Sequence, residues 1–266
     1  AVQVTVRSNI SVQTLSSPLK MMKARELMEA TNSFYYEDYL YQNRKGVYAG
    51  LGNAPAEEVP LRVEYTSEEI AQARDITDWM SEITRNGVIF DNHVSIRGGE
   101  KVRYHVSLSS FNQKGVLITS DYAKYSGYTS LEINLSEKIK TGLNLALSQA
   151  NVSDPELSQS SDYAGIIRDA SAYPTFYPIY SEDGSYFINP KHPQYPNPVS
   201  WKDVHNISEE TRIMIGNYWS VSPVRNWDIR LSWGTNMLFQ RKEKQYPKSH
   251  LLGEVTNTQA TIEEFR

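Results

Sequence analysis

The sequence predicts an all-β chain, an antiparallel transmembrane β-barrel segment of about seven long strands. Tight turns close one end, and long loops with short helices elaborate the other. Three observations predict this. Apolar and polar residues alternate with a period of two over stretches of about ten residues, which places alternate side chains on opposite faces of a strand. Soluble strands average roughly 5–6 residues, whereas a bilayer-spanning strand needs roughly 9–11. The connections alternate strictly: long, tight, medium, tight, long, tight. Consecutive antiparallel strands bring every second connection back to the same side, so a membrane barrel segregates short turns from long loops. A β-sandwich has no reason to do so. Finally, the chain is only 39% hydrophobic, yet a barrel can be, because only every second strand residue meets lipid.

The elements follow in order. Val2, Val4, Val6, Ile10 and Val12 alternate with Gln3, Thr5, Arg7, Asn9 and Ser11 in a first strand. A soluble sheet with one wet face would look the same. Residues 15–88 form a long excursion starting at Pro18, with a helix predicted over 23–30 and a Tyr-, Gly- and Asn-rich stretch, 33–65, read as ordered loop. Thr66 and Glu69 make a capping box that opens a second helix, expected to reach about Ile76. Asp75, Thr77 or Asp78 can cap a third short helix carrying Trp79 and Ile83.

Residues 89–152 hold four further strands. Their apolar positions are Phe90, Val94 and Ile96; then Val102, Tyr104, Val106 and Leu108; then Tyr125, Leu131, Ile133 and Leu135; then Leu143, Leu145 and Leu147. Residues 153–208 form a second excursion, with a helix expected from about Ser160 to Asp169 and a Pro- and Tyr-dense tract that cannot be a central strand. Two last strands alternate through Ile213, Ile215, Trp219 and Val221, and through Ile229, Leu231, Trp233, Met237 and Phe239. The run Arg241 to Lys244 leaves the apolar zone, and beyond Gln245 no period assigns an element.

Several classes are excluded. No apolar run reaches the roughly 18 residues of a membrane helix. With net charge -4 and no basic stripe, nothing suggests nucleic acid. The absence of Cys removes a disulfide framework and thiolate metal sites. The His residues lack metal-ligand spacing. His93 and His105, on polar faces of adjacent strands, are expected as near neighbours that serve hydrogen bonding. Asp183-Gly184 reads as a hairpin turn. No carboxylate pair is placed like a glycosidase site, and no signal peptide opens the chain. The first residues read as mid-strand, which suggests a processed piece or fragment.

The run Asn92-His93-Val94-Ser95-Ile96-Arg97-Gly98-Gly99-Glu100-Lys101, continued by Tyr104, Ser107-Leu108 and Phe111-Asn112-Gln113, resembles the SusC/RagA family of TonB-dependent outer-membrane transporters of Bacteroidota. Thr77-Asp78-Trp79 and the helix around Leu19 to Met28 also resemble it. The resemblance implies that 1–266 is a segment of a plugged, 22-stranded outer-membrane barrel, with 15–88 and 153–208 as extracellular excursions. It implies a plug domain and closing strands that are not present here, so the piece is not expected to fold or transport alone. It further implies import of an oligosaccharide or peptide, a SusD/RagB-like lipoprotein partner, a TonB complex acting through the missing N-terminal part, outer-membrane lipid around the barrel, and neither catalysis nor cofactor.

Loop aromatics are the candidate contacts for ligand or partner: Tyr35, Tyr36, Tyr39, Tyr173, Phe176, Tyr177, Tyr180 and Trp201, with Tyr41 and Tyr186 beside them. Aromatic faces near hydrogen-bonding groups suit capture of sugars, peptides or a docking protein. The alternative is that they pack the loops together. Trp219, Trp227 and Trp233 are read either as an interfacial girdle or as strand packing, and Trp79 as structural. The rival to the whole reading is a soluble secreted β-sandwich that binds glycans, with the apolar faces turned inward as a core.

Overall fold

The structure, a computed structural model, describes residues 1–16, 19–154, 165–255 and 259–265. One antiparallel sheet of eight strands runs in chain order from first to last. Its strands are β1 (Gln3–Gln13), β2 (Gly87–Gly98), β3 (Val102–Lys114), β4 (Asp121–Asn134), β5 (Ile139–Ser153), β6 (His205–Val221), β7 (Ile229–Tyr246) and the short β8 (Gln259–Phe265). The seven strands expected from alternation are all present, and β6 and β7 reach 17 and 18 residues. The eighth was not legible: the charged run Arg241 to Lys244 continues β7, and β8 pairs against that polar extension.

Register explains the two faces. One cross-strand row reads Val6, Val94, Leu108, Gly127, Leu147, Ile213 and Met237. The next row on the same face reads Val4, Ile96, Val106, Thr129, Leu145, Ile215 and Thr235. The opposite face carries Arg7, His93, Ser109, Ser126, Ser148 and Arg212 in one row. Because the side-chain period is two, seven separate alternations add up to one continuous apolar surface only in this register. Among the described residues no second sheet covers that surface: Val6 is 74% exposed and Leu231 68%. The β-sandwich rival required these residues inside, so the single-layer sheet removes it.

Aromatics edge the apolar band. Tyr125 and Phe239 share a row toward the long-loop end. Trp219 pairs with Leu231 near the turn end, with Trp227 and Trp233 close by and exposed. The two rows lie about 26 Å apart along a strand at roughly 3.3 Å per residue. With roughly 40° of strand tilt the band is about 20 Å tall, near the height of a lipid-facing band with its girdles.

Connections 99–101, 135–138 and 222–228 share one end of the sheet. In the first, Gly99 sits at φ 103, and a Cβ there would fall 1.6 Å from the Val102 carbonyl oxygen, so only glycine fits. At the other end lie both excursions, loop 115–120 and segment 247–255. The first excursion holds α1 (Ala24–Gln42), α2 (Ser67–Gln72) and α3 (Trp79–Glu82); the second holds α4 (Ile166–Ala172); α5 (Leu251–Val255) follows β7.

Three helical expectations need correction. Helix α1 runs to Gln42 rather than ending at residue 30, so Tyr35, Tyr36 and Tyr39 lie on helix. The Thr31-Asn32-Ser33 run looks like a breaker, but Thr31 and Ser33 hydroxyls donate back to Leu27 and Glu29 carbonyls. The Asn32 side chain meanwhile brackets Tyr65, donating to its carbonyl and accepting its N–H. Helix α2 has the predicted capping box, with Thr66 and Glu69 bonded reciprocally, but it stops at Gln72. The Ile76 and Thr77 N–H groups donate instead to the Thr175 carbonyl of the other excursion. Helix α4 begins after Gly165, so Ile166–Ala172 replaces the later part of the expected 160–169 span; 160–164 lie outside the described residues, as does Pro18. Asp78 caps α3, accepting from the Ser81 N–H. Among the described residues no helix is long and apolar enough to cross a membrane.

Candidate ligand- and partner-binding surface

The two excursions join into one cap with its own core. Trp79, Ile83, Ile166, Ala170, Tyr173, Val199, Trp201 and Tyr246 are buried together. The Trp79 indole donates to the Pro174 carbonyl at 2.9 Å and packs edge-on against Tyr173. Thr77 donates to the Tyr177 carbonyl at 2.7 Å. Asp75 accepts from the Thr175 hydroxyl at 2.6 Å and the Ala24 N–H at 2.7 Å, tying three segments together. These bonds hold its carboxyl below the usual range, that from Thr175 foremost. Loop 115–120 joins through Arg85, whose N–H donates to the Val116 carbonyl and whose guanidinium pairs with Asp121 at 2.6 Å.

The most buried carboxylate among the described residues of the cap is that of Asp169. Its carboxylate accepts from the Trp201 indole at 2.6 Å. Burial pushes the carboxyl up to about 6, while the indole N–H works the other way. The His250 ring packs against Trp201 at 4.6 Å, which draws segment 247–255 into the same core.

The sequence-derived candidates divide by exposure. Tyr173 and Trp201 are core residues, 3% and 2% exposed. Their polar atoms are engaged: the Tyr173 hydroxyl donates to the Phe187 carbonyl, and the Trp201 indole to Asp169. They position the surface rather than form it. Phe176 and Tyr177 are half-buried in a ring cluster with Tyr65 and Phe187. Burial raises the Tyr65 hydroxyl to about 12. Tyr35 lies under the Arg62 guanidinium at 4.3 Å. Tyr36 is half-exposed and stacks on Tyr39. The Tyr39 hydroxyl donates to Glu58, which Lys45 also reaches at 2.6 Å, so α1 is tied to the loop after it. The two histidines expected as neighbours are not: His93 faces Ser109, and His105 faces Arg97.

Tyr180 is the candidate that lines a cavity. The predicted hairpin at Asp183-Gly184 exists, with Gly184 at φ 82 and Tyr180 bridged to Tyr186. The two tyrosine rings stack at 5.4 Å. The Lys202 ammonium lies 2.7 Å from the Tyr180 hydroxyl, and Tyr186 donates to Asp203 at 2.9 Å. Beside this pair lies a cavity of about 460 Å³, lined also by Tyr195, Lys248 and Ser249. An aromatic wall beside several donors and acceptors is the make-up of a site for a hydroxylated or amide-bearing ligand. Sequence reasoning missed Lys202, Asp203, Lys248 and Ser249. The first two adjoin Trp201 and carried no distinguishing pattern; the others lie in the tail left without an element.

Comparison with known proteins places this architecture. No protein-family model matches the chain. TonB-dependent receptor P26 of Formosa agariphila is 30% identical over 188 residues, covering 68% of this chain and 18% of the relative. TonB-dependent receptor SusC of Bacteroides thetaiotaomicron is 26% identical over 166 residues, 53% of this chain and 16% of the relative. Both relatives are named as receptors, not by an enzymatic activity. Among solved structures, the RagAB peptide transporter superposes with a TM-score of 0.64 at 18% identity, covering 93% of this chain and 29% of that one. The RagAB peptide importer in its closed-closed state gives 0.63. The chain therefore spans less than a fifth of the curated relatives it matches. Its sheet has the fold of a stretch of the RagAB transporter's barrel, and its setting is the outer membrane.

Proposed function

With a wall similar to those of SusC- and RagA-type barrels as the premise, we propose that the chain is part of a TonB-dependent outer-membrane importer of glycans or peptides. The reading is carried by one observation: seven register-matched strands put a bare apolar band on one face and a polar surface on the other. In lipid the first is solvated by acyl chains and the second lines a wet interior. Residues 1–266 then form one wall segment, and excursions 15–88 and 153–208 face outside the cell. The remaining strands and the plug belong to the rest of the receptor.

The cap is where ligand arrives and where a SusD/RagB-like surface lipoprotein sits, with Tyr36, Tyr39 and the Tyr180–Tyr186 pair as contacts. TonB acts from the opposite end, on the side of the tight turns. No step is catalytic; the receptor and importer names of the relatives support that. The test is uptake of labelled oligosaccharide and oligopeptide mixtures by cells with and without the gene, alongside affinity purification of the full-length receptor. Uptake lost on deletion and again on TonB removal, with a lipoprotein co-purifying, is the expected result. Unchanged uptake of every component would end the reading.

A further inference from the structure

The polar face of the strand wall carries mostly one sign of charge. Its carboxylates are Asp91, Glu132, Glu210 and Glu263, whereas its cations include Arg7, Arg97, Lys124, Lys140, Arg212, Arg230, Lys242 and Lys244. The whole chain is nevertheless net -4. Positive charge is thus gathered on this face, and the balancing carboxylates lie mainly on cap and turns. Neighbours cancel little of it. Arg103 pairs with Glu132. Arg97, however, donates to the neutral Gln3 amide at 2.6 Å and Arg212 to Asn236 at 3.0 Å, and Arg230 lies over the Tyr218 ring at 3.8 Å. Such contacts orient a guanidinium and leave its charge in place.

At mid-wall this face dips into a cavity of about 350 Å³. Ser107, Ser109, Ser126 and Ser148 form much of its lining, with Lys124 and Arg212 on it and Tyr128 beside them. The register makes the arrangement: Ser109, Ser126, Ser148 and Arg212 follow one another across four strands in one row. Lys124 is two residues along from Ser126. Serine keeps the floor low and places a hydroxyl at each step, that of Ser109 lying 2.8 Å from His93 Nδ1. Two carboxylates share the Lys124 row, Asp91 beyond Phe111 and Glu210 beyond Ala150, and Glu210 is also two residues along from Arg212; neither of these two cations has a carboxylate directly opposite it.

We propose that this cavity is an anion-binding subsite on the wall of the conduit, receiving carboxylate or sulfate groups of an anionic oligosaccharide. The proposal rests on the importer reading and narrows its substrate class. Two cations over hydroxyl donors match an oxyanion, since charge-assisted hydrogen bonds are the strong ones. A serine-lined floor beside an aromatic ring suits a polyhydroxylated sugar backbone.

The test uses the full-length receptor in detergent, with hexameric oligogalacturonate as the acid probe and its methyl ester as the neutral one. The acid form binds more tightly, and its advantage shrinks as salt rises from about 50 to about 300 mM, because screening weakens charge contacts. The double variant Lys124→Gln with Arg212→Gln weakens acid binding by at least about tenfold, from the cost of losing hydrogen bonds to charged groups. It weakens ester binding less, so the acid-over-ester ratio falls. The charge-keeping pair Lys124→Arg with Arg212→Lys retains most of the acid preference, which separates charge from mere folding. Equal affinity for acid and ester, or wild-type acid binding by the neutralised variant, would overturn the proposal. So would preference for a hexa-aspartate peptide over the oligouronate. Import of a neutral substrate without acid binding would remove this inference and leave the importer reading standing.

Discussion

The strand wall and the cap are stabilised by different means. The wall has no interior of its own: its backbone ladders are complete between neighbours, but its large apolar side chains, Val6 and Leu108 among them, stand exposed. It needs a surrounding solvent that welcomes them, and hydrocarbon does. The cap is the reverse, an ordinary buried core in miniature, with Trp79, Ile83 and Ile166 at 0% exposure and each buried indole given an acceptor. The difference teaches that one chain here obeys two solvents. Substitutions should therefore separate cleanly: those in the wall act through lipid insertion, and those in the cap act through packing and leave the wall intact.

The largest effect expected is on the cap. Trp79→Ala removes a fully buried ring and should cost about 3–5 kcal/mol locally. Hydrogen exchange in the complete receptor should show 66–86 and 165–204 deprotected while β2 to β6 stay protected. Loss of protection in β2 to β6 together with the cap would collapse the distinction.

Next comes the wall. Leu145→Arg, on the apolar face, should destabilise the folded barrel by about 2–4 kcal/mol if it lies near the bilayer midplane. Ser130→Arg, on the polar face beside Glu132 and outside the serine-lined cavity, should stay within about 0.5 kcal/mol. Denaturant titration of barrels refolded into vesicles measures both. Equal penalties would mean the two faces do not see different media.

A smaller effect sharpens the cap side. The Asp169 carboxyl titrates near 6 in the folded cap against 3.8 for an ordinary aspartate. Between those values the folded state keeps a proton that the unfolded state releases. The contribution of Asp169 to cap stability is therefore greatest below about pH 4 and falls as pH rises through about 6, by up to about 3 kcal/mol. Asp169→Asn keeps an acceptor for the Trp201 indole and should flatten that dependence. Proteolysis of the cap at pH 5 and pH 7.5 reads it; an unaltered slope in the variant would assign the dependence elsewhere.

The smallest effect concerns the surface. Tyr180→Ala opens the stacked pair with Tyr186 and should weaken ligand or lipoprotein binding by roughly 1 kcal/mol, the scale of one aromatic pair. Tyr41→Ala, equally exposed but away from the cavity, should change nothing. Titration of both variants against the captured lipoprotein would tell a contact residue from a bystander.

The wall could be read directly because strand geometry writes itself into sequence at the shortest period there is. Val2 to Val12, or Val102 to Leu108, needed no knowledge of their neighbours to declare two faces. The capping box at Thr66 was equally local. The cap resisted because its order is non-local. Asn32 extends a helix by reaching Tyr65, Thr175 ends one by taking the Ile76 and Thr77 amides, and Trp201 leaves the surface because Asp169 is there to accept its N–H. Aromatic residues in a proline-rich tract are consistent with both core and contact, and only burial separates Trp201 from Tyr180.

What the sequence alone determined, then, was strand number to within the short β8, the facing of each side chain, and which end bears the loops. These follow from a two-residue period and from connection length. The tertiary structure decided the register that fuses seven alternations into one band, the cap that joins two excursions distant in the chain, and the serine-floored cavity between Lys124 and Arg212. The band and the cavity depend on which strand lies beside which and at what offset, so a one-residue slip would abolish both without changing any local pattern, whereas the cap depends on contacts between residues nearly a hundred positions apart.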